Sequence, residues 1–439
     1  MDQITLESTF LFNELAEVLG RFELLVTTYH DQDMIGRGLP TYEQRGLMSY
    51  LNISMDYTAA YGNQTYTKCV HNVKIPVYMG KVKLVNLPIR PFFDLGDIDR
   101  FVIRGNKFKE LTQKPTFMHA NGFMYIPTWS GFKKLPLNSR VVIDPEGYKK
   151  YRDADTWSSD EKDKVVSDDM CPFTLPCLPV YSLEYKMWGE VPTDSFREIK
   201  FDETAFDRTV IPEQNKVLIK TLVGNFYKTE CCDFIAGRKR GLVFLLNGPP
   251  GVGKTLTAHG IAELTHRPLY IIGSGDIGTK PDQIDTELQR IFEMVGNWNG
   301  IVLIDESDVF MSKRTDYDIE YNACVSVFLR LIETYFGILF LTTNRDKGID
   351  PAFDSRIHLR IRYDELEDDE KVKVWDESFK RYKINNVNPN EFKSFKLNNR
   401  EIANIVQLAH ILSDNDQNKI NSDLINHLIT MRQTFKYNS

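Results

Sequence analysis

Over residues 241–363, short apolar runs alternate with stretches of helical spacing, and that alternation leaves few folds open. Runs of strand length fall at 241–247, 269–273, 300–304, 337–341 and 358–363. Between them, 255–265, 286–295 and 321–335 carry apolar residues at helical intervals. Strands that alternate with helices must lie parallel, because each crossover returns the chain to the same edge, and helices then cover both sheet faces. After Asp364 the strand pattern stops. Segments 369–382, 400–413 and 421–434 read as helices, so a small helical domain closes the sequence.

The first strand of this series runs directly into Gly248-Pro249-Pro250-Gly251-Val252-Gly253-Lys254-Thr255-Leu256, and a helix opens there. Glycines allow tight turning, so that successive amide N–H groups point at phosphate oxygens, and the helix N-terminus adds its positive end. Lys254 supplies a cation for the β- and γ-phosphates, and Thr255 a hydroxyl for Mg²⁺. A second signal is the run Ile301-Val302-Leu303-Ile304 ending in Asp305-Glu306. A buried strand there delivers two carboxylates to the sheet edge where ligands bind. Asp305 is suited to hold Mg²⁺ and Glu306 to act as general base on the attacking water.

Asn344 ends the next strand, where a carboxamide can orient that water or sense the γ-phosphate. The turn-residue alternative is outweighed by its place after the Asp-Glu strand. Arg356 follows in a loop, Asp350-Pro-Ala-Phe-Asp354-Ser355-Arg356. It is a candidate arginine finger for a neighbouring subunit's nucleotide, the alternative being a surface ion pair with Asp354 or Asp350. Arg400 opens a helix of the C-terminal domain and is equally a second sensor or a surface residue.

Upstream the pattern is weaker. Residues 5–26 approximate a helical stripe through Leu6, Phe10, Leu15, Val18, Leu19, Phe22 and Leu25. A polar, Gly-containing segment follows from His30 to Arg45. Residues 66–93, 101–104 and 140–143 read as strands, and the charged segment 152–170 as solvated chain. The expected division is an N-terminal helical or irregular segment 1–60, a mixed α+β domain 61–195, a nucleotide-hydrolysing core 196–363 and a helical lid 364–439, with a linker over 191–206.

The net charge of −7 in 439 residues argues against a nucleic-acid partner. No apolar run approaches the roughly 18 residues that cross a bilayer. The opening MDQITLESTF lacks a signal-peptide pattern, so the expectation is a soluble cytoplasmic or nuclear protein. Six cysteines, Cys69, Cys171, Cys177, Cys231, Cys232 and Cys324, form no CxxC pair and read as reduced thiols rather than a zinc site.

Together these elements resemble the AAA family of ATPases. The likeness rests on GPPGVGKTLTA (248–258), RPLYIIGSGDIGT (267–279), ELQRIFEMVGNW (287–298), VSVFLRLIETYFGILFLTTNR (325–345) and DPAFDSRIHLRIRY (350–363). Weaker marks, such as VIRGNKFKEL (102–111) and NSRVVIDPEGY (138–148), are similar to fungal-type AAA ATPases with an uncharacterised N-terminal domain. The resemblance implies an α/β fold: a P-loop core with a five-stranded parallel sheet between helices, a helical lid and a mixed N-terminal domain. It implies ATP and Mg²⁺ as ligands, assembly of the chain with itself into a hexamer, and remodelling of a protein partner. A nucleotide-gated scaffold with slow turnover and a clamp-loader-like nucleic-acid remodeller are the competing readings. One departure is the segment 273–281, which has no aromatic residue with which to grip a threaded peptide and offers Ile277 as its one apolar side chain. Another is the single arginine of Ser355-Arg356, where many members carry two around a Pro-Gly insert.

Overall fold

The structure, a computed structural model, describes residues 5–7, 25–29, 32–45, 48–62, 65–76, 81–83, 89–91, 98–128, 131–152, 162–163, 168–226, 241–273, 275–314, 317–345, 347–413 and 419–437. The chain divides into two compact units, Met1–Lys200 and Phe201–Ser439.

The strands of the first unit begin with β1 (Thr5–Glu7), β2 (Leu25–Tyr29), β3 (Gln32–Arg45), β4 (Met48–Gly62), β5 (Thr65–Pro76), β6 (Lys81–Lys83) and β7 (Ile89–Pro91). They continue with β8 (Thr116–Thr128), β9 (Gly131–Ile143), β10 (Lys162–Asp163), β11 (Cys177–Ser182), β12 (Met187–Pro192) and β13 (Phe196–Arg197). β2–β5, β7 and β10 share one sheet, and β1 pairs with β6 alone. A second large sheet runs β12-β11-β9-β8-β13, and β12 also meets β8 where Glu190 faces Tyr125. Leu137, Val141, Ile143, Cys177, Leu178, Val180 and Val191 of this sheet belong to one buried hydrophobic cluster.

Three local expectations change here. The segment His30–Arg45 is read above as polar chain, yet Gln32–Arg45 is a strand, laddered to β2 on one side and β4 on the other. Its Gly and Pro residues hide any alternation, so non-local pairing rather than local pattern makes it a strand. Residues 101–104, read as a strand, lie inside the helix Ile98–Leu111. Phe101, Arg104, Phe108 and Leu111 are all buried while Ile103 is exposed, which is helical spacing. Gly105 is required on that helix, since a Cβ there would sit 2.0 Å from the Cys171 carbonyl oxygen. Of the helical stripe over 5–26, the described ends, β1 and β2, are strands, and residues 8–24 lie outside the described residues. The β4–β5 hairpin also runs across the expected division at residue 60. Most of the charged segment 152–170 lies outside the described residues as well.

The second unit follows its pattern closely. β14 (Leu242–Asn247), β15 (Leu269–Ile272), β16 (Ile301–Ile304), β17 (Ile338–Thr343) and β18 (Leu359–Arg362) form one sheet in the order β15-β16-β17-β14-β18. Every ladder in it is parallel. β14, β16 and β17 are buried at every position, as a sheet covered on both faces requires. Phe244 and Phe340 stack at 4.7 Å on one face, with Ala258, Ile261, Ile219 and Val223 packed over them from helices Lys254–Thr265 and Glu213–Phe226. Helices Pro281–Asn297 and Ile319–Thr334 are also part of this α/β core. The C-terminal helices Asp368–Arg381, Asn399–Leu412 and Ser422–Tyr437 pack around Trp375, Phe379, Phe392, Ile405 and Ile425.

Candidate nucleotide site

Three strand ends and one helix start meet at the carboxyl edge of the sheet. After β14, Gly248, Gly251 and Gly253 adopt φ values of +149°, +79° and +105°, so the loop turns through conformations that side chains resist. Space also demands glycine: a Cβ on Gly248 would lie 2.2 Å from the Tyr363 carbonyl oxygen, and one on Gly251 2.6 Å from Asn398. Val252 points the other way into the core. Gly253 caps the helix Lys254–Thr265, whose free N–H groups open toward the loop.

Around this loop lies a cleft of about 270 Å³, lined by Pro250, Gly251, Gly253, Lys254, Thr255, Leu256, Asp305, Glu306, Thr342, Asn344, Asn399 and Arg400. Of the residues singled out from the sequence, Gly248, Pro249 and Val252 belong to the loop without lining the cleft, and Arg356 lies elsewhere.

Lys254 is 7% exposed. Its Nζ donates to the carbonyl oxygens of Gly248 (2.7 Å) and Pro249 (2.8 Å) and to Asn344 Oδ1 (2.9 Å). Burial pulls its ammonium below the usual lysine range, and the nearby carboxylates of Asp305, Asp308 and Glu306 oppose that pull. Arg400 also acts on it, as a like charge that lowers it further.

Opposite Lys254, the Thr255 hydroxyl donates to Asp305 at 3.2 and 3.3 Å from its two carboxylate oxygens. A hydroxyl and a carboxylate side by side are hard oxygen donors, and so small a set leaves room for retained waters. That chemistry fits Mg²⁺, with Thr255 and Asp305 as the residues that would hold it.

Glu306 has a left-handed backbone, φ +53°, which is uncommon for a residue with a side chain. In an extended strand two consecutive side chains point to opposite faces. The left-handed turn brings Asp305 and Glu306 to one cleft instead. The turn is fastened by Ser307 N–H to the Thr342 carbonyl (2.9 Å) and by Glu306 N–H to the Thr342 hydroxyl (3.0 Å).

The lid reaches the loop through Asn398 and Asn399. Asn398 and Glu401 cap their helix reciprocally (2.9 and 3.0 Å), and Asn398 Nδ2 also donates to the Pro250 carbonyl at 3.3 Å. Thr342 and Asn399 line the cleft although the sequence assigns neither a role, Asn399 entering only as the start of the lid helix that opens with Arg400. Thr342 stands two positions before Asn344 on a strand that reads as uniformly apolar until its end. Asn399 could have been found from the Asn398-x-x-Glu401 helix-start pattern.

Arg356 pairs with neither of the acids named as alternatives. Asp350 binds Arg314 at 2.8 Å and Asp354 binds Arg360 at 3.4 Å. Hydrogen bonding to Arg314 holds the Asp350 carboxyl below its usual range. Arg356 instead donates to Glu333 (2.9 Å) and to the carbonyls of Ala352 (2.8 Å) and Leu329 (3.2 Å), beside a hollow lined by Gly241, Ile332, Ser355 and His358. Ile277 is fully buried.

Comparison with known proteins agrees with the core. Residues 244–365 match the family described as "ATPase family associated with various cellular activities (AAA)". A Lon protease homolog of Acanthamoeba polyphaga mimivirus is 32% identical over 138 residues, 29% of this chain and 12% of that protein. The human ATPase family AAA domain-containing protein 3B is 29% identical over 145 residues, 31% of this chain and 22% of its own length. Protein CdcH of Halobacterium salinarum is 32% identical over 143 residues, 30% of this chain and 19% of that one. The matched region is thus a small part of each relative. The chain carries an AAA-type ATPase domain, with the five-stranded parallel sheet between helices described above. Among the described residues, no helix is long and apolar enough to cross a membrane.

Proposed function

We propose that residues 201–439 bind ATP with Mg²⁺ and hydrolyse it, and that copies of the chain assemble, as a hexamer, into a machine that remodels a protein partner. The observation that carries the hydrolytic reading is the convergence of Lys254, the Thr255–Asp305 pair and the Glu306 carboxylate on one cleft. A module that only binds nucleotide has no need of a carboxylate held there by a strained backbone.

The residues divide the work by chemistry. The loop amides and the helix start face the phosphates. Lys254 exchanges its bonds to the Gly248 and Pro249 carbonyls for phosphate oxygens. Bound at Thr255 and Asp305, Mg²⁺ would neutralise charge on the β- and γ-phosphate oxygens. Glu306 takes a proton from the attacking water, and Asn344 orients that water once Lys254 has released it. Arg356 of a neighbouring subunit completes the charge around the γ-phosphate, and Arg400 senses the nucleotide from the lid. Burial of Ile277 speaks against a peptide grip by that side chain, and this reading assigns engagement of the partner to the domain 61–195. Cytoplasm or nucleus is the compartment this reading fits.

The test is a steady-state ATPase assay beside nucleotide titration of Glu306→Gln. Retained ATP binding with turnover lost is expected. Hydrolysis at the parent rate would place the base elsewhere, and a parent that binds ATP without turning over would favour the nucleotide-gated scaffold.

A further inference from the structure

We infer that Thr342 is a positioning residue for hydrolysis: its one hydroxyl sets both the Asp305 carboxylate and the backbone turn that aims Glu306. This inference rests on the reading of the cleft as an ATP-hydrolysing site.

Thr342 lies one residue before the end of β17 and is 1% exposed, with its side chain at the cleft wall. A hydroxyl has one hydrogen to give and two lone pairs to share. Here the hydrogen goes to Asp305 Oδ1, in a short contact, and a lone pair accepts the Glu306 N–H at 3.0 Å. The Thr342 carbonyl is engaged too, accepting from Ser307 N–H (2.9 Å) and from the Ser307 hydroxyl (2.8 Å). Three consecutive residues after β16 are therefore tied to this one residue of the neighbouring strand.

The tie matters because Glu306 sits at φ +53°. A residue with a side chain relaxes toward negative φ unless its surroundings hold it. Relaxation would restore strand-like alternation and swing one of the two carboxylates out of the cleft. Of the two backbone donors that fasten the turn, the Glu306 N–H is the one at the left-handed residue itself, and the Thr342 hydroxyl is its acceptor. The same hydroxyl holds the carboxylate that faces Thr255, so the cation donors and the base are set from a single point. Thr342 touches neither reacting phosphate nor water in this scheme; it acts through Asp305 and Glu306.

The test compares Thr342→Val, which keeps the branched shape and removes the hydroxyl, with Thr342→Ser, which keeps the hydroxyl. Thr342→Ala serves the same purpose should the valine variant fail to fold. Charge-assisted bonds of this kind correspond to about 10–100-fold in rate. Thr342→Val or Thr342→Ala should lower kcat for ATP by that factor, raise the Mg²⁺ concentration for half-maximal rate, and leave KM for ATP within about threefold. Thr342→Ser should recover most of the lost kcat. A role in stability alone would lower the unfolding midpoint and leave kcat per folded molecule unchanged, and that result would overturn the inference. So would a serine variant as slow as the valine one, or a loss confined to KM. Glu306→Gln in parallel separates the two levels of the argument. If it abolishes turnover while Thr342→Val keeps the parent rate, the site reading stands and the Thr342 inference falls. If the parent itself does not hydrolyse ATP, the site reading falls first.

Discussion

Lys254 shows how a residue can be ready for a ligand and still satisfied without one. Its ammonium is buried and donates to three oxygens of the chain, the bonds that the proposed ATP binding would exchange for phosphate oxygens. Lys254→Ala should abolish tight ATP binding, weakening it by at least about 100-fold, since it removes the cation at the floor of the loop. Isothermal titration with ATP checks this, and an unchanged affinity would refute the assignment of the loop. Ile277 gives the contrasting case. The sequence presents it as the one apolar side chain of a segment that could grip a peptide, and its full burial makes it core. Ile277→Ala should therefore cost about 2–5 kcal/mol of stability, read from the denaturant midpoint, as buried truncations do. Its ATP affinity should stay within about twofold of the parent; a stability change near zero would mean that the side chain is not packed inward.

At the scale of elements, legibility follows how local the cause of each element is. β14, β16 and β17 are uniformly apolar because both faces are covered, and their runs stand out in the sequence. β3 does not stand out, because its strand character comes from partners on both sides rather than from its own pattern. The helix Ile98–Leu111 was masked by the β-branched look of Val102 and Ile103, although Phe101, Phe108 and Leu111 keep helical spacing. Within the cleft, loop glycines and strand-end acids are legible because their spacing is contiguous. Thr342 is not, since its function arises from register with the Asp305-Glu306 turn one strand away. The lid contact is likewise a matter of an element's end: Asn398 caps its own helix and bonds the Pro250 carbonyl at once. Asn398→Ala should lose about 1 kcal/mol of stability through the missing cap. It should also speed nucleotide release, because the lid loses its hydrogen bond to the loop. Stopped-flow release of a fluorescent ATP analogue checks the second effect, and a release rate equal to the parent's would show that the contact does not reach the nucleotide.

At the scale of the whole molecule, the proposed role of Arg356 as a finger requires a second copy of the chain, and its ion pair with Glu333 is the structural alternative. The cations that line the cleft are Lys254 and Arg400, while Arg356 is tied to Glu333, Ala352 and Leu329 outside it. Within one chain it therefore does not serve the site from this position. Its side chain is 26% exposed and its ion pair with Glu333 is partly open to solvent, so on the proposed trans reading a phosphate of a neighbouring subunit would compete with Glu333 for it. An arginine supplied in trans accelerates phosphoryl transfer by about 10³–10⁵. Two consequences can be measured on the full chain. ATPase rate per subunit should rise with protein concentration, since an isolated subunit lacks the finger. Complementation is the sharper test. Arg356→Ala leaves the phosphate loop intact and removes the finger; Lys254→Ala keeps the finger and removes nucleotide binding. Each alone should be nearly inactive. When the two are mixed, some interfaces join an intact loop on one subunit to an intact Arg356 on the next, and activity should return to roughly a quarter of the parent's if subunits mix at random and the finger supplies the largest single contribution. Arg356 acting inside its own chain predicts a mixture no more active than the sum of its parts, because no subunit then holds both groups.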